Sequence, residues 1–253
     1  MNSIVVSLLV SACVFAAAIV GLNLHRVLPA THLTKETQDV LRLGTGMVSV
    51  LASLVLGLLV ATAKSSYDSM DQAVRGYAAE IALLNETLRD YGGGASVPHD
   101  ALRHYTERLL QNRWPTNGDP TPEMWNDMAG ALLEHVREEI RALKPVDDAQ
   151  RWLLGQALDI STSLLRQRWL LIEQSGMNIH STVLVILVCW IVAIFISFGL
   201  NAPRNGTVVV GFLVCAIAIG GSIFLILELD HPLSGVLRIS SWPVENALAY
   251  MNW

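Results

Sequence analysis

The sequence predicts an all-α membrane protein with four spanning helices and a helical extramembrane segment between the second and the third. Charged residues make up 15% of the 253 residues and the mean hydropathy is +0.44, whereas charged residues account for roughly 25% of a soluble domain. Four apolar runs each reach about 20 residues, the length that crosses a hydrocarbon core of about 30 Å at about 1.5 Å per residue. Together these observations indicate a multi-pass protein of a cell membrane.

The four runs carry no charge in their interiors, so each is predicted to span the bilayer. They comprise Ile4–Leu24, Leu43–Ala63, Ser181–Leu200 and Gly206–Leu229. No Lys or Arg precedes the first run and no small-residue cleavage site follows it, so we interpret it as a spanning helix rather than a signal peptide. The chain thus begins with a transmembrane pair at 1–63. Because only residues 201–205 separate the last two runs, residues 181–229 are predicted to form a transmembrane hairpin.

Residues 64–180 are polar but periodic, and we predict that they form a stalk of four helices. These helices are predicted at Ser66–Tyr91, Asp100–Trp114, Pro122–Leu143 and Asp147–Ser175, with glycine or proline breakers between them. Thr121 is the predicted N-cap of the third helix, and Pro122 occupies its first position. The first helix follows the second span without a breaker and the fourth leads toward the third span. We therefore expect the stalk to be continuous with the membrane bundle.

The fourth stalk helix carries apolar residues at helical spacing, which predict the face that it buries. This stripe comprises Leu154, Leu158, Leu165, Trp169 and Ile172. Residues 230–253 follow the last span as an interfacial tail. Trp242 and Trp253 either sit at the membrane interface or pack on the stalk.

The chain contains no catalytic or metal-binding motif, which argues against an enzyme and against a cofactor. It has no glycine-rich phosphate loop, no His-Glu-x-x-His and no nucleophile elbow. His99, His104 and His135 are predicted to be solvated rather than metal ligands. We interpret the pair Asp147–Asp148 as the negative charge that a helix N-terminus favours, rather than as a calcium site. The net charge of −5 gives no indication of nucleic-acid binding.

Small and weakly polar residues form one continuous stripe along the second span. Gly46, Ser49, Ser53, Gly57 and Ala61 follow one another at spacings of three and four, the repeat of a single helix face. Such a stripe permits close packing between helices, which is the plainer interpretation. Turned toward a central axis, it would instead line a pore with backbone and hydroxyl dipoles. The fourth span has a similar stripe, which we interpret as packing: Gly211, Cys215, Ala218 and Ser222.

Two carboxylates, Glu228 and Asp230, stand at the end of the fourth span. In an oligomer they would form a ring at a pore mouth, where negative charge favours cations. The plainer interpretation, which we favour, is that they are interfacial charges where the helix leaves the bilayer. Lys and Arg are distributed almost equally between the two sides, so the positive-inside rule gives little guidance on orientation. The uncharged N-terminus, followed by Arg26, favours an outside N-terminus.

Four segments together resemble the bacterial bestrophin-like membrane proteins, whose shared domain has no assigned function. They are the second-span segment Leu43–Asp68, the stretch Leu84–Gly92, and the tail segments Asp230–Gly235 and Ile239–Pro243. The resemblance extends over about residues 36–250, with a departure at Leu233, where the family usually has an aromatic residue. It implies a bestrophin-like helix layout and an inner-membrane location.

The related bestrophins are pentameric anion channels that keep their termini and large segment in the cytosol, an orientation opposite to the one that the charges favour. Their pore motif of stacked aromatics is not found in this sequence, so none of their site residues is transferred.

Two functions remain open. The first is an oligomeric ion channel, conducting chloride or other small anions, with a pore lined by the small residues of the second span. The second is a non-conducting scaffold or sensor whose helical stalk binds a partner. Both imply a homo-oligomer in a lipid bilayer. An intramembrane enzyme is disfavoured because the spans contain no interior His, Asp or Glu.

Overall fold

The computed structural model describes residues 3–24, 34–113, 128–175, 181–232 and 235–251. Over this part of the chain it contains the eight α-helices α1 Ser3–Leu24, α2 Lys35–Tyr91, α3 Ser96–Arg113, α4 Met128–Arg141, α5 Asp148–Ser175, α6 Ser181–Asn201, α7 Gly206–Asp230 and α8 Trp242–Ala249. The chain forms two compact units. Unit 1 comprises Met1–Ser66 and Asn178–Asp230, and unit 2 comprises Tyr67–Met177 and His231–Trp253.

Unit 1 contains the four helices that are long and apolar enough to cross a membrane: α1, the first part of α2, α6 and α7. The predicted spans and the all-α fold are therefore confirmed. α1 packs on α6 at glycines, because a Cβ added to Gly21 would overlap the carbonyl oxygen of Ile196, and one added to Gly199 would overlap that of Ala18. Small residues let membrane helices approach this closely.

The helix α7 contacts α1 through a face other than the predicted stripe. A Cβ added to Gly220 would overlap the Ser11 hydroxyl, and Ala216 and Ile223 are buried beside it. Gly211 and Cys215 are exposed, as is Ala218, and Ser222 is half-buried. Within the described part of this chain that stripe therefore makes little packing contact, and its interpretation as packing stays a prediction about contacts between copies. Both faces of α7 are apolar, so composition alone does not distinguish the inward one.

Unit 2 is built around an apolar core to which the second part of α2, α3, α4, α5 and α8 all contribute. The most completely buried residues of this core include Ile81, Leu84, Leu102, Leu133, Ile140 and Leu164. The C-terminal tail joins this core through Ile239, Val244 and Met251, whereas the Trp242 side chain is exposed. The tail thus packs on the stalk through its aliphatic residues, and Trp253 lies outside the described residues.

The predicted helix ends are reproduced where the chain supplies a breaker or a cap. α2 continues from the second span to Tyr91 without interruption and stops at Gly92, whose φ of 97° suits glycine. α5 begins after Asp147, whose carboxylate accepts a hydrogen bond of 2.7 Å from the Gln150 backbone N–H, so the capping interpretation is confirmed. The predicted cap of the third stalk helix, Thr121 with Pro122, lies outside the described residues.

Two predictions about the stalk are wrong. α3 begins at Ser96 rather than at Asp100, because Pro98 is tolerated in a first helical turn, where its missing N–H has no intrahelical partner. Because of that earlier start, His99 lies in the first turn of α3, and its side chain is buried rather than solvated. His104 and His135 are exposed, as predicted.

The buried face of α5 matches the predicted stripe only in part, because Leu154, Leu158 and Leu165 are half-buried against the core and lie beside the fully buried residues. The side chains that α5 buries are Ala157, Ser161, Leu164, Arg168 and Leu171. Trp169, a member of the predicted stripe, is 61% exposed. The apolar periodicity was misleading because two polar residues, Ser161 and Arg168, occupy the inward register.

Candidate functional site

The first part of α2 presents three different surfaces. Its inward face buries Ala52 and Ala63, with Val48, Val55 and Leu59 half-buried. This face repeats every three or four residues, as expected for one side of a helix. The other two surfaces of this part of α2 are the predicted stripe of small residues and a surface of large apolar side chains.

The stripe of small residues makes little contact with the rest of its own chain. Gly46, Ser53, Gly57 and Ala61 are exposed, and Ser49 is half-buried. A Cβ added to Gly46 or Gly57 would meet no described atom within 4 Å. Glycine in a helix interior costs about 0.5–1 kcal/mol relative to alanine. Among the described residues, no packing contact of a Cβ at Gly46 or Gly57 would compensate for that cost.

The two serines of the stripe present oxygen atoms rather than hydroxyl protons. The Ser49 hydroxyl donates to the Thr45 carbonyl oxygen at 2.8 Å, and the Ser53 hydroxyl donates to that of Ser49 at 2.8 Å. Serine often bonds in this way to the preceding turn of a helix. Each hydroxyl must rotate away from its carbonyl before it can donate to an anion, and the hydrogen bond that it gives up is worth about 0.5–1.5 kcal/mol.

Beside the stripe, α2 exposes large apolar side chains. Met47, Val50 and Leu54 are each 70% exposed, and Leu58 is 66% exposed. Helix surfaces of this kind lie against lipid or against another polypeptide. α2 therefore has both a small-residue surface and a large apolar surface available to neighbours outside the chain.

The two predicted pore-mouth carboxylates lie at the C-terminal end of α7 in different environments. Glu228 is buried, with 3% of its surface exposed, whereas Asp230 is half-buried. Of the two, Asp230 is the one whose carboxylate is more accessible to an ion.

A cluster that sequence reasoning missed lies within unit 2, around the buried Arg168. The Arg168 guanidinium nitrogens lie so near α4 that a Cβ added to Gly130 would be 3.2 Å from each terminal nitrogen. The hydroxyls of Tyr77 and Tyr105 are hydrogen-bonded to each other in the core. Burial, and secondarily Tyr105, raises the pKa of Tyr77 well above its usual range, while the charge of Arg168 acts in the opposite direction.

The signal that could have revealed this cluster is the pair Ser161 and Arg168. They are seven residues apart and lie on the same face of α5 as Leu164. Polar residues at an inward register indicate a buried polar network.

Helix lengths, apolar spans and a helical unit between the second and third spans define the class: an all-α, multi-pass membrane protein. A family model for the bestrophin-like domain matches residues 11–244. The chain belongs to the bestrophin-like family.

Solved structures agree with this fold. A variant of a bacterial bestrophin homologue from Klebsiella pneumoniae is 15% identical, with a TM-score of 0.68 over 99% of this chain and 98% of that one. A second structure of a Klebsiella pneumoniae homologue is 14% identical, with a TM-score of 0.65 over 97% and 94% of the two chains. No curated protein matches the chain. The resemblance and the bestrophin-like layout predicted from the sequence are thus confirmed.

Proposed function

We propose that copies of this chain assemble in the bacterial inner membrane into an ion channel that conducts chloride or other small anions. In this proposal the stripe Gly46, Ser49, Ser53, Gly57 and Ala61 of each α2 lines the pore. The observation that carries the proposal is that the stripe is continuous, while a Cβ added to either of its glycines would meet no described atom within 4 Å beyond the local helix backbone. Membership of the bestrophin-like family supports it.

The chemistry of the stripe suits weak, repeated contact with an ion. The small side chains of glycine and alanine keep the pore wide, and the hydroxyls of Ser49 and Ser53 supply dipoles without a fixed charge. Conduction requires sites that hold an ion only weakly, so that it can leave again. A serine hydroxyl that rotates from a backbone carbonyl to an anion gives up a hydrogen bond worth about 0.5–1.5 kcal/mol for one worth about 1.5–3 kcal/mol, so its net hold on the anion is weak, which meets this requirement.

The carboxylates at the end of α7 act against the anion preference of this proposal where they face the pore mouth. Asp230, the more accessible of the two, would form a ring that opposes anion entry and favours cations. Its contribution is separated from that of the stripe by measuring the reversal potential of the Asp230→Asn variant. If the stripe alone selects anions, the Asp230→Asn variant should prefer chloride as strongly as the unmodified protein does, or more strongly.

The test is ion flux through purified protein in liposomes, with two glycine variants of the same helix. We expect Gly57→Leu to lower chloride flux by roughly tenfold or more, the factor that corresponds to about 1.4 kcal/mol of added barrier. Gly44→Leu is the matched control, because a Cβ added to Gly44 would also meet no described atom within 4 Å, but Gly44 lies off the stripe. Absence of a salt-dependent current in the unmodified protein, or equal effects of the two variants, would contradict the proposal.

A non-conducting scaffold or sensor is the second candidate, and a groove in unit 2 favours it. The groove has a volume of about 260 Å³, and Ala78, Ala82, Trp242 and Tyr250 are among the residues that line it. Trp242 and Tyr250 are 61% and 67% exposed, and exposed aromatic side chains are typical of protein-binding surfaces. Absence of current in the unmodified protein, together with loss of a co-purifying protein in a Trp242→Ala variant, would support this function. The scaffold would replace the channel only if the unmodified protein carries no current.

A further inference from the structure

A groove on unit 1, separate from the small-residue stripe, combines a cationic end with apolar walls. Its volume is about 460 Å³, and α2, α6 and α7 all contribute to its lining. The polar end is formed by Arg42, Thr45, Ser197 and Asn201, and the walls are apolar. This volume lies in the range of about 300–1,000 Å³ that is typical of sites for small organic ligands.

The polar end has hydrogen-bond donors to offer. Arg42 is exposed and, over the part of the chain that the structure describes, takes part in no ion pair. The hydroxyls of Thr45 and Ser197 lie 2.7 Å apart, so one donates to the other and the accepting hydroxyl keeps its own proton for a ligand. Asn201 uses an amide N–H on the Ser197 carbonyl oxygen at 2.9 Å, which fixes this corner of the groove.

The apolar walls continue from this end along α6 and α7. Phe198 and Phe212 line the groove, together with Val208 and Cys215. From Val208 to Cys215 the lining follows α7 for about 10 Å at about 1.5 Å per residue. Gly211 faces open space, because a Cβ added there would meet no described atom within 4 Å, and a larger side chain at this lining position would project into the groove.

We propose that this groove binds one anionic phospholipid of the bilayer, with its phosphate at Arg42 and an acyl chain along Phe198 and Phe212. Charge complementarity selects the headgroup, since a guanidinium binds a phosphate through two parallel N–H donors. Position selects a lipid over a soluble anion. Arg42 directly precedes the apolar run of the second span, where headgroups meet the hydrocarbon.

Native mass spectrometry of the purified full-length protein tests the proposal by counting retained lipid. Protein is exchanged into micelles that contain phosphatidylglycerol and phosphatidylcholine with identical acyl chains. We expect the unmodified protein to retain phosphatidylglycerol preferentially, and Arg42→Gln to lower that retention by roughly tenfold, as loss of about 1.4 kcal/mol of binding would. Lys35→Gln is the control, since it removes one charge from the same helix outside the groove.

A second pair of variants tests the apolar part of the groove. Gly211→Leu places a side chain in the groove and should also expel the lipid. Gly221→Leu adds the same side chain to α7 away from the groove, where a Cβ likewise meets no described atom within 4 Å, and should retain the lipid. Size-exclusion profiles and helical circular dichroism verify that each variant is folded before lipid is counted.

The remaining outcomes contradict the proposal. Equal retention of the two lipids, or equal losses in Arg42→Gln and Lys35→Gln, would show that the headgroup is not recognised at Arg42. If inorganic phosphate displaces the lipid and Gly211→Leu does not change lipid retention, the site belongs to a soluble anion. A change of oligomeric state in Gly211→Leu with lipid retention unaltered would assign the groove to a contact between copies.

Discussion

The two parts of α2 differ in how much of their surface the chain itself covers. From Tyr67 to Tyr91 the helix buries Met70, Val74, Tyr77, Ala78, Ile81, Leu84, Asn85, Thr87, Leu88 and Tyr91. From Lys35 to Ser66 it buries only Ala52 and Ala63. The second part is therefore held by a core of its own chain, whereas most of the first part is exposed in a single copy. This contrast is the basis of the channel proposal.

The largest expected effect comes from removing the same side chain in each part. Leu84 is fully buried and Leu54 is 70% exposed. Leu84→Ala should lower the free energy of unfolding by about 2–5 kcal/mol, because it leaves a cavity in the core of unit 2. Leu54→Ala should change it by less than about 1 kcal/mol, because it leaves no cavity within the chain.

Denaturant unfolding of both variants in detergent, followed by circular dichroism, measures this difference. Equal destabilisation by the two variants would show that Leu54 packs in a core as Leu84 does. The contrast between the two parts of α2 would then fail.

A smaller effect concerns the alkaline stability of unit 2. Burial raises the pKa of Tyr77 above the value near 10 that a tyrosine has in an unfolded chain. The stabilisation is complete below about pH 10, and it is lost as the pH rises from there through the folded pKa, since only the unfolded chain ionises in that window. The loss is at most about 1.4 kcal/mol per pH unit for one tyrosine.

Tyr77→Phe should therefore lose less stability than the unmodified protein as the pH is raised above about 10. The matched control is Tyr250→Phe, which alters a tyrosine that is 67% exposed. Denaturant unfolding across this alkaline range measures both slopes. An unchanged slope in Tyr77→Phe would mean that this buried hydroxyl does not govern the alkaline loss.

The sequence predicted the helices well and the faces of the helices poorly, for physical reasons that differ between the units. In unit 1 the sequence identified the spans, because an uncharged apolar run of this length is rarely anything but a transmembrane helix. The sequence did not identify the inward faces of these spans, because lipid and protein core both accept apolar side chains. The contacts at Gly21, Gly199 and Gly220 therefore have no hydropathy signal.

In unit 2 the breaker Gly92 and the cap Asp147 marked helix ends correctly. The inward face of α5 was misplaced because Arg168 and Ser161, which are polar, occupy buried positions on it. The arrangement of the small-residue stripe around a pore remains a prediction, because it depends on contacts between copies.

The most direct test of the channel account is the accessibility of two adjacent positions to a charged thiol reagent. Ser53 lies on the stripe and Leu54 beside it, and both are exposed in the single chain. Each is changed to cysteine in a background where Cys13, Cys189 and Cys215 are alanine, and current is recorded as the reagent is added. The account predicts that Ser53→Cys is modified from water with a change in current, while Leu54→Cys is protected. Modification of Leu54→Cys alone, or of neither position, would contradict it.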